Sequence, residues 1–88
     1  MAYQILFDPK AEKELDKMNS DLRLIFIQHF EKLKEFIPGK HLKFGLPYFV
    51  EKVTKQARIV FDAEENIITI IRCFKTHKEY EDWYKSYK

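Results

Sequence analysis

The chain is predicted to be an α+β domain with the order β-α-α-β-β-β and a short C-terminal helix. Three observations carry this. Apolar residues recur at helical spacing over residues 11–36, β-branched and aromatic runs fill residues 46–74, and Pro38-Gly39 separates the two regimes. Helices followed by strands imply an antiparallel-rich sheet with an N-terminal helical hairpin on one face. At 88 residues the chain is one domain, 1–88, and most of its eight Phe and five Tyr must be committed to a single core.

The elements follow in order. "YQILF" is a short apolar run ended by turn signals, and reads as the first strand. Asp8-Pro9 is an N-cap followed by proline at the first helical position, where its missing N–H costs nothing. Ala11, Leu15 and Met18 then form the apolar stripe of a short charged helix. Asn19-Ser20 breaks it, with Ser20 expected as the N-cap of a second helix over residues 21–36. Leu22, Ile25, Phe26, His29, Phe30 and Leu33 share one face of that helix. Leu24 and Ile27 widen it, which predicts either cover on more than one side or a groove for a partner. His29, within the stripe, is expected to be structural.

Beyond "IPGK" the pattern becomes β. "LPYFVEKV", "ARIVFDA" and "NIITIIRCF" are strands, the last two joined by the polar "EEN" with Asn66 as its left-handed residue. Alternation puts Ala57, Ile59 and Phe61 on one face of their strand and Arg58 and Val60 on the other. Arg72 would share a face with Ile68, Ile70 and Phe74. A three-residue loop sets Arg58 opposite Arg72, and a four-residue loop sets Ala57 there. The final "THKEYEDWYKSYK" has aromatics at 80, 83, 84 and 87, the spacing of an amphipathic helix laid on the sheet.

Composition excludes much. One cysteine, Cys73, allows no intramolecular disulfide, and His41, His77 and Cys73 have no zinc-site spacing. With two glycines there is no phosphate-binding loop or dinucleotide fingerprint, and no nucleophile elbow is present. No metal or cofactor is called for. No apolar run nears the ~18 residues of a membrane span, so a soluble, cytoplasmic protein without membrane contact is expected. Net charge is +2, but residues 40–88 carry ten Lys/Arg against seven Asp/Glu, whereas residues 1–39 carry six against seven. The basic excess lies in the sheet half, a weak footprint for a polyanion.

Three cations arise in adjacent strands: Lys52, Arg58 and Arg72. Two arginines facing each other would repel, which makes sense if an anion fills the gap. The alternative gives each arginine its own carboxylate, with Glu51, Glu79 and Glu81 as candidates. Lys43, Lys55 and Lys75 lie near strand ends and would extend a phosphate-binding surface that positions a nucleic acid without reading its sequence. His77 follows the strand carrying Arg72, and histidine is the side chain suited to proton transfer near neutrality. Metal-free RNA cleavage through the 2′-OH needs a base, an acid and cations for the charge developing on phosphate. His77, Arg58, Arg72, Lys52 and Tyr80 contain those roles.

These residues, with "YQILFDPKAEKEL", "ARIVFDAEENIITIIR", "KHLKFG" and "THKEY", resemble the RelE/ParE superfamily of toxins from toxin–antitoxin pairs, nearest its RelE and YafQ branches. The resemblance covers nearly the whole chain. It implies a ribosome-dependent mRNA endonuclease with a cognate antitoxin, the ribosome and mRNA as partners, and no small-molecule cofactor. Residue by residue it makes Arg58 the phosphate-binding arginine, His77 the proton-transfer histidine and Tyr80 or a neighbouring aromatic a base-stacking residue, and it brings in His41. Lys52 and Gln56 stand nearest the second-strand histidine and aspartate of the YafQ branch, which are absent. Between Arg72 and Thr76 the chain is one residue longer than that branch, which calls for a bulge there. Other members of the superfamily poison DNA gyrase without cutting RNA, so a gyrase inhibitor, or a non-catalytic relative that binds only an antitoxin, stays open.

Overall fold

The computed structural model describes residues 3–35 and 48–86. Its elements are β1 (Gln4–Phe7), α1 (Pro9–Asp16), α2 (Ser20–Leu33), β2 (Phe49–Lys52), β3 (Arg58–Glu64), β4 (Ile67–Phe74) and α3 (His77–Lys85). The strands form one sheet in the order β1-β4-β3-β2. β1 runs parallel to β4, and the other pairings are antiparallel, so the α+β sheet is mixed.

The helix starts follow capping chemistry. Asp8, in an extended conformation, accepts the Lys10 N–H at 2.9 Å, and Pro9 opens α1. The second cap is Asn19 rather than the expected Ser20: its side-chain oxygen accepts the Leu22 N–H at 2.9 Å, while Ser20 is already helical. An amide oxygen spans this Ncap-to-N3 distance as well as a hydroxyl does. α2 stops at Leu33, short of the expected residue 36. There the Lys34 carbonyl turns to accept the Tyr3 N–H at 2.9 Å, which ties the end of the helix to the start of β1.

Both helices pack on one sheet face. Ala11, Met18, Phe26, Phe30 and Leu33 meet Phe49, Val53, Ala57, Ile59, Phe61, Ile68, Ile70 and Cys73 in a single buried cluster. His29 sits at its margin, with Nδ1 2.9 Å from Glu51 Oε2, the structural role expected of it. Leu24 and Ile27 remain 56% and 44% exposed. Ile27 also lines an open groove of about 540 Å³ with Tyr3, Ile5, Phe7, Leu15 and Phe30. The opposite sheet face holds a smaller cluster of Val60, Phe74 and Trp83, with Tyr48, Val50, Ile71, Tyr80 and Tyr84 packed around it. α3 supplies Trp83, Tyr80 and Tyr84, so the aromatic stripe is packing; Tyr87 lies outside the described residues.

The β3–β4 register differs from both expectations. Glu64 pairs with Ile67, so the turn is the two residues Glu65 and Asn66, and it is Glu65 that takes the positive φ of 55°. Between Val60 and Phe61 the ladder shifts: Phe61 faces Ile70, Val60 faces Arg72, and Ile71 has no partner. The bulge thus falls at Ile71, before Arg72 instead of after it. Arg58 therefore lies opposite Phe74, and the Arg58–Arg72 pairing does not form. The bulge also moves Arg72 off the face of Ile68 and Ile70. Burying an arginine beneath the helices would strip its hydration; the extra residue places Cys73 there instead and turns Arg72 and Phe74 to the other side.

Candidate active site

Two arginines of adjacent strands have different surroundings. Arg72 donates to Glu14 of α1 in bidentate fashion, Nε at 3.0 and 3.1 Å and Nη2 at 2.7 Å. Glu14 Oε1 also accepts the Cys73 N–H at 3.0 Å. β1 pairs with β4 only through Ile70, so beyond that point the β4 edge has no neighbouring strand on this side among the described residues. The carboxylate supplies the missing acceptor and neutralises the arginine. The Arg72 guanidinium further lies 4.8 Å from the Phe74 ring centre, a cation–π arrangement. Arg72 has its own carboxylate, then, but the partner is Glu14 and none of the three candidates named from sequence.

Arg58 has no carboxylate partner among the described residues. Its Nη1 donates to the carbonyls of Thr54, Lys55 and Ala57 at 3.0, 3.2 and 2.9 Å, gripping the turn between β2 and β3. That turn is also closed by the Thr54 hydroxyl, which accepts the N–H groups of Gln56 and Ala57. Directly across the ladder from Arg58 stands Lys52. Cross-strand partners project from the same face, so the like-charge pair sought between Arg58 and Arg72 exists between Arg58 and Lys52. Carbonyl dipoles around the guanidinium offset part of the repulsion.

The start of α3 meets this turn. Thr76 caps the helix by accepting the Glu79 N–H at 3.2 Å, and the His77 N–H donates to Gln56 Oε1 at 3.4 Å. The His77 ring stands edge-on to Tyr80, centres 5.6 Å apart, with Nδ1 3.1 Å from Glu81 Oε1. Tyr80 in turn packs against Phe74 and Tyr84. Burial pushes the Tyr80 phenol above its ordinary value of 10.0, Tyr84 adds to the rise, and the charge of Arg58 opposes it. The phenol is therefore a neutral hydrogen-bond donor across the physiological range.

Five of the nine sequence candidates thus gather on the β2–β3 turn and the start of α3: Lys52, Arg58, His77 and Tyr80, with exposed Lys55 in the turn itself. Arg72 is held apart from them at the β4 edge, where Glu14 of α1 reaches it. Lys75 is exposed between β4 and α3, beside a recess lined by Glu14, Lys17 and Glu79. His41 and Lys43 lie outside the described residues. Sequence reasoning missed Glu14, which sits 58 positions from Arg72 and gives no local signal. It also gave Glu81 to an arginine, although a glutamate four residues beyond a helical histidine lies on the same helix face.

No family model and no curated protein matches the sequence. Solved structures do match. A mutant of the E. coli toxin RelE in the free state superposes with a TM-score of 0.76 over 97% of this chain and 93% of its own, at 23% identity. The intact E. coli RelBE toxin–antitoxin complex matches with a TM-score of 0.71 over 85% of this chain and 98% of that one, at 21% identity. The YoeB dimer from Staphylococcus aureus gives 0.69 over 84% and 97%, at 18% identity. The chain therefore has the fold of the RelE and YoeB toxins. At these identities the likeness establishes the architecture, and function must be argued from the site.

Proposed function

We propose that this chain is the toxin of a toxin–antitoxin pair and acts as a ribosome-dependent mRNA endonuclease, with the ribosome and its mRNA as target and a cognate antitoxin as its inhibitor. The observation that carries the reading is the junction of a cross-strand cation pair, Lys52 and Arg58, with no carboxylate partner among the described residues, and a helix start bearing a half-exposed histidine. The fold shared with RelE and YoeB structures supports it, as does a solved neighbour that is a toxin bound to its antitoxin.

The chemistry is transfer of the phosphate to the adjacent 2′-OH. The 2′-oxygen bonds to phosphorus as its proton leaves to a base, and the P–O5′ bond breaks as that oxygen receives a proton. The products are a 2′,3′-cyclic phosphate and a 5′-hydroxyl, with no change in oxidation state. His77 carries one of the two proton transfers. Arg58 and Lys52 stabilise the charge that builds on the phosphoryl oxygens. Tyr80, held neutral, donates a hydrogen bond or lies against a base, and Lys55 extends the phosphate contacts. Arg72 acts through the fold, by its bond to Glu14.

The test is induced expression followed by mapping of transcript 5′ ends on ribosomes. Cuts confined to translated messages are expected, and they should disappear in His77→Ala. That variant should lose ~10²–10⁴-fold in cleavage, the usual worth of a general acid or base, and Arg58→Ala should relieve growth arrest with the fold intact. A fully toxic double variant would remove the site assignment. Intact messages with stalled replication would instead indicate a gyrase inhibitor.

A further inference from the structure

His77 is held at one nitrogen only. Its Nδ1 lies 3.1 Å from Glu81 Oε1, and the other carboxylate oxygen of Glu81 lies 3.8 Å from Lys85 Nζ. Tyr80 stands edge-on against the ring, and Gln56 accepts the backbone N–H, so the ring packs on its own helix while the His77 backbone is tied to the β2–β3 turn. Among the described residues Nε2 has no hydrogen-bond partner.

Helix energetics do not account for this pair. A cation at the first turn meets the positive end of the helix dipole, and an acid placed C-terminal to its basic partner is the weaker orientation of an i,i+4 pair. Lys78 and Asp82, one residue along in the same sense, sit looser at 3.7 Å with side chains 83% and 64% exposed. The His77–Glu81 contact is shorter and its side chains are 41% and 35% exposed. A carboxylate can only accept, so Nδ1 must carry the proton. In the neutral ring this leaves the lone pair on Nε2, and in the charged ring it makes Nε2 the nitrogen that gives its proton up.

We propose that Glu81 is a positioning residue that fixes the Nδ1–H tautomer of His77 and so makes Nε2 the atom that exchanges a proton with RNA. This rests on the RNA-cleaving reading above. The experiment compares wild type with Glu81→Ala, and with Glu79→Ala as a control that removes the same charge from the same helix without touching His77. Two quantities are read: the ¹⁵N signals of the His77 ring in its neutral form, and single-turnover cleavage of ribosome-bound message. Wild type and Glu79→Ala should show a protonated Nδ1. Glu81→Ala should drift toward the Nε2–H form, and its maximal rate should fall about tenfold at unchanged half-saturating concentration, a fraction of what a general acid or base contributes. A protonated Nε2 in wild type, an unchanged tautomer in Glu81→Ala, or equal rates in the two variants would each overturn the proposal. Wild-type cleavage in His77→Ala would defeat the cleavage reading instead, and the ring signals would report the tautomer independently of it.

Discussion

Cys73 shows how position alone changes a residue's chemistry. It is 2% exposed, and burial pushes its thiol from an ordinary 9.0 up to about 12; the charge of Glu14 adds to this and Arg72 opposes it. The folded protein therefore holds the proton where the unfolded chain has released it. The associated stability is complete below pH 9 and is lost as pH climbs through the window from 9 to about 12. Between these values the urea midpoint should fall more steeply in wild type than in Cys73→Ala, where this contribution is gone. Native protein at pH 9 should also resist alkylation until urea unfolds it. Parallel slopes in the two proteins would contradict the assignment. The two arginines make the same point about surroundings. Arg72 is neutralised by Glu14, whereas Arg58 leans on carbonyl dipoles and keeps its charge.

At the scale of elements, the β3–β4 hairpin decides which residues meet. Its two-residue turn and the unpaired Ile71 together bring Arg72 opposite Val60 and Arg58 opposite Phe74. The turn has a cost, because Glu65 sits at a φ of 55° where its Cβ crowds the following carbonyl. Glu65→Gly should remove that crowding and, after the added flexibility of the unfolded chain, raise stability by roughly 0.5–1 kcal/mol in urea titration. A loss of stability would mean that the Glu65 side chain contributes something beyond its backbone. α3 depends on few elements: Thr76 caps it, and Trp83 with its tyrosine neighbours fastens it over Val60 and Phe74. The His77 end of the helix is thereby set against the β2–β3 turn.

Across the whole molecule, Glu14 is a polar side-chain link between the helical layer and the sheet, as is His29 through its contact with Glu51. One carboxylate joins α1 to the edge of β4 beyond Ile70, satisfies a backbone N–H and balances a guanidinium. Glu14→Ala leaves both donors without that acceptor in a site that is about three-quarters covered. It should cost about 2–4 kcal/mol in urea unfolding, well above the worth of an exposed pair. A change below about 1 kcal/mol would show that water replaces the carboxylate freely. Exposed Leu24 and the groove containing Ile27 lie along α2 and β1, at the sheet edge opposite the β2–β3 turn.

Much of this organisation is written along the chain. Asp8-Pro9, the stripe Ala11-Leu15-Met18, the face of Phe26, Phe30 and Leu33, and the alternation of Ala57, Ile59 and Phe61 are all local periodicities or caps, so they are readable wherever the chain is cut. They determine the element order, the α+β class and which face is core. Histidine at the start of α3 and the basic strands are legible in the same way. The register of β3 on β4 is not, since a turn of two, three or four residues is nearly neutral locally and the choice is made by what each register buries. Only the folded sheet decides that Ile71 bulges, that Cys73 rather than Arg72 lies under the helices, and that Glu14 crosses 58 positions to reach Arg72. Desolvation is the reason: an arginine must find water, a carboxylate or carbonyl oxygens, and its partner is fixed by packing in three dimensions, beyond the reach of any pattern in the sequence.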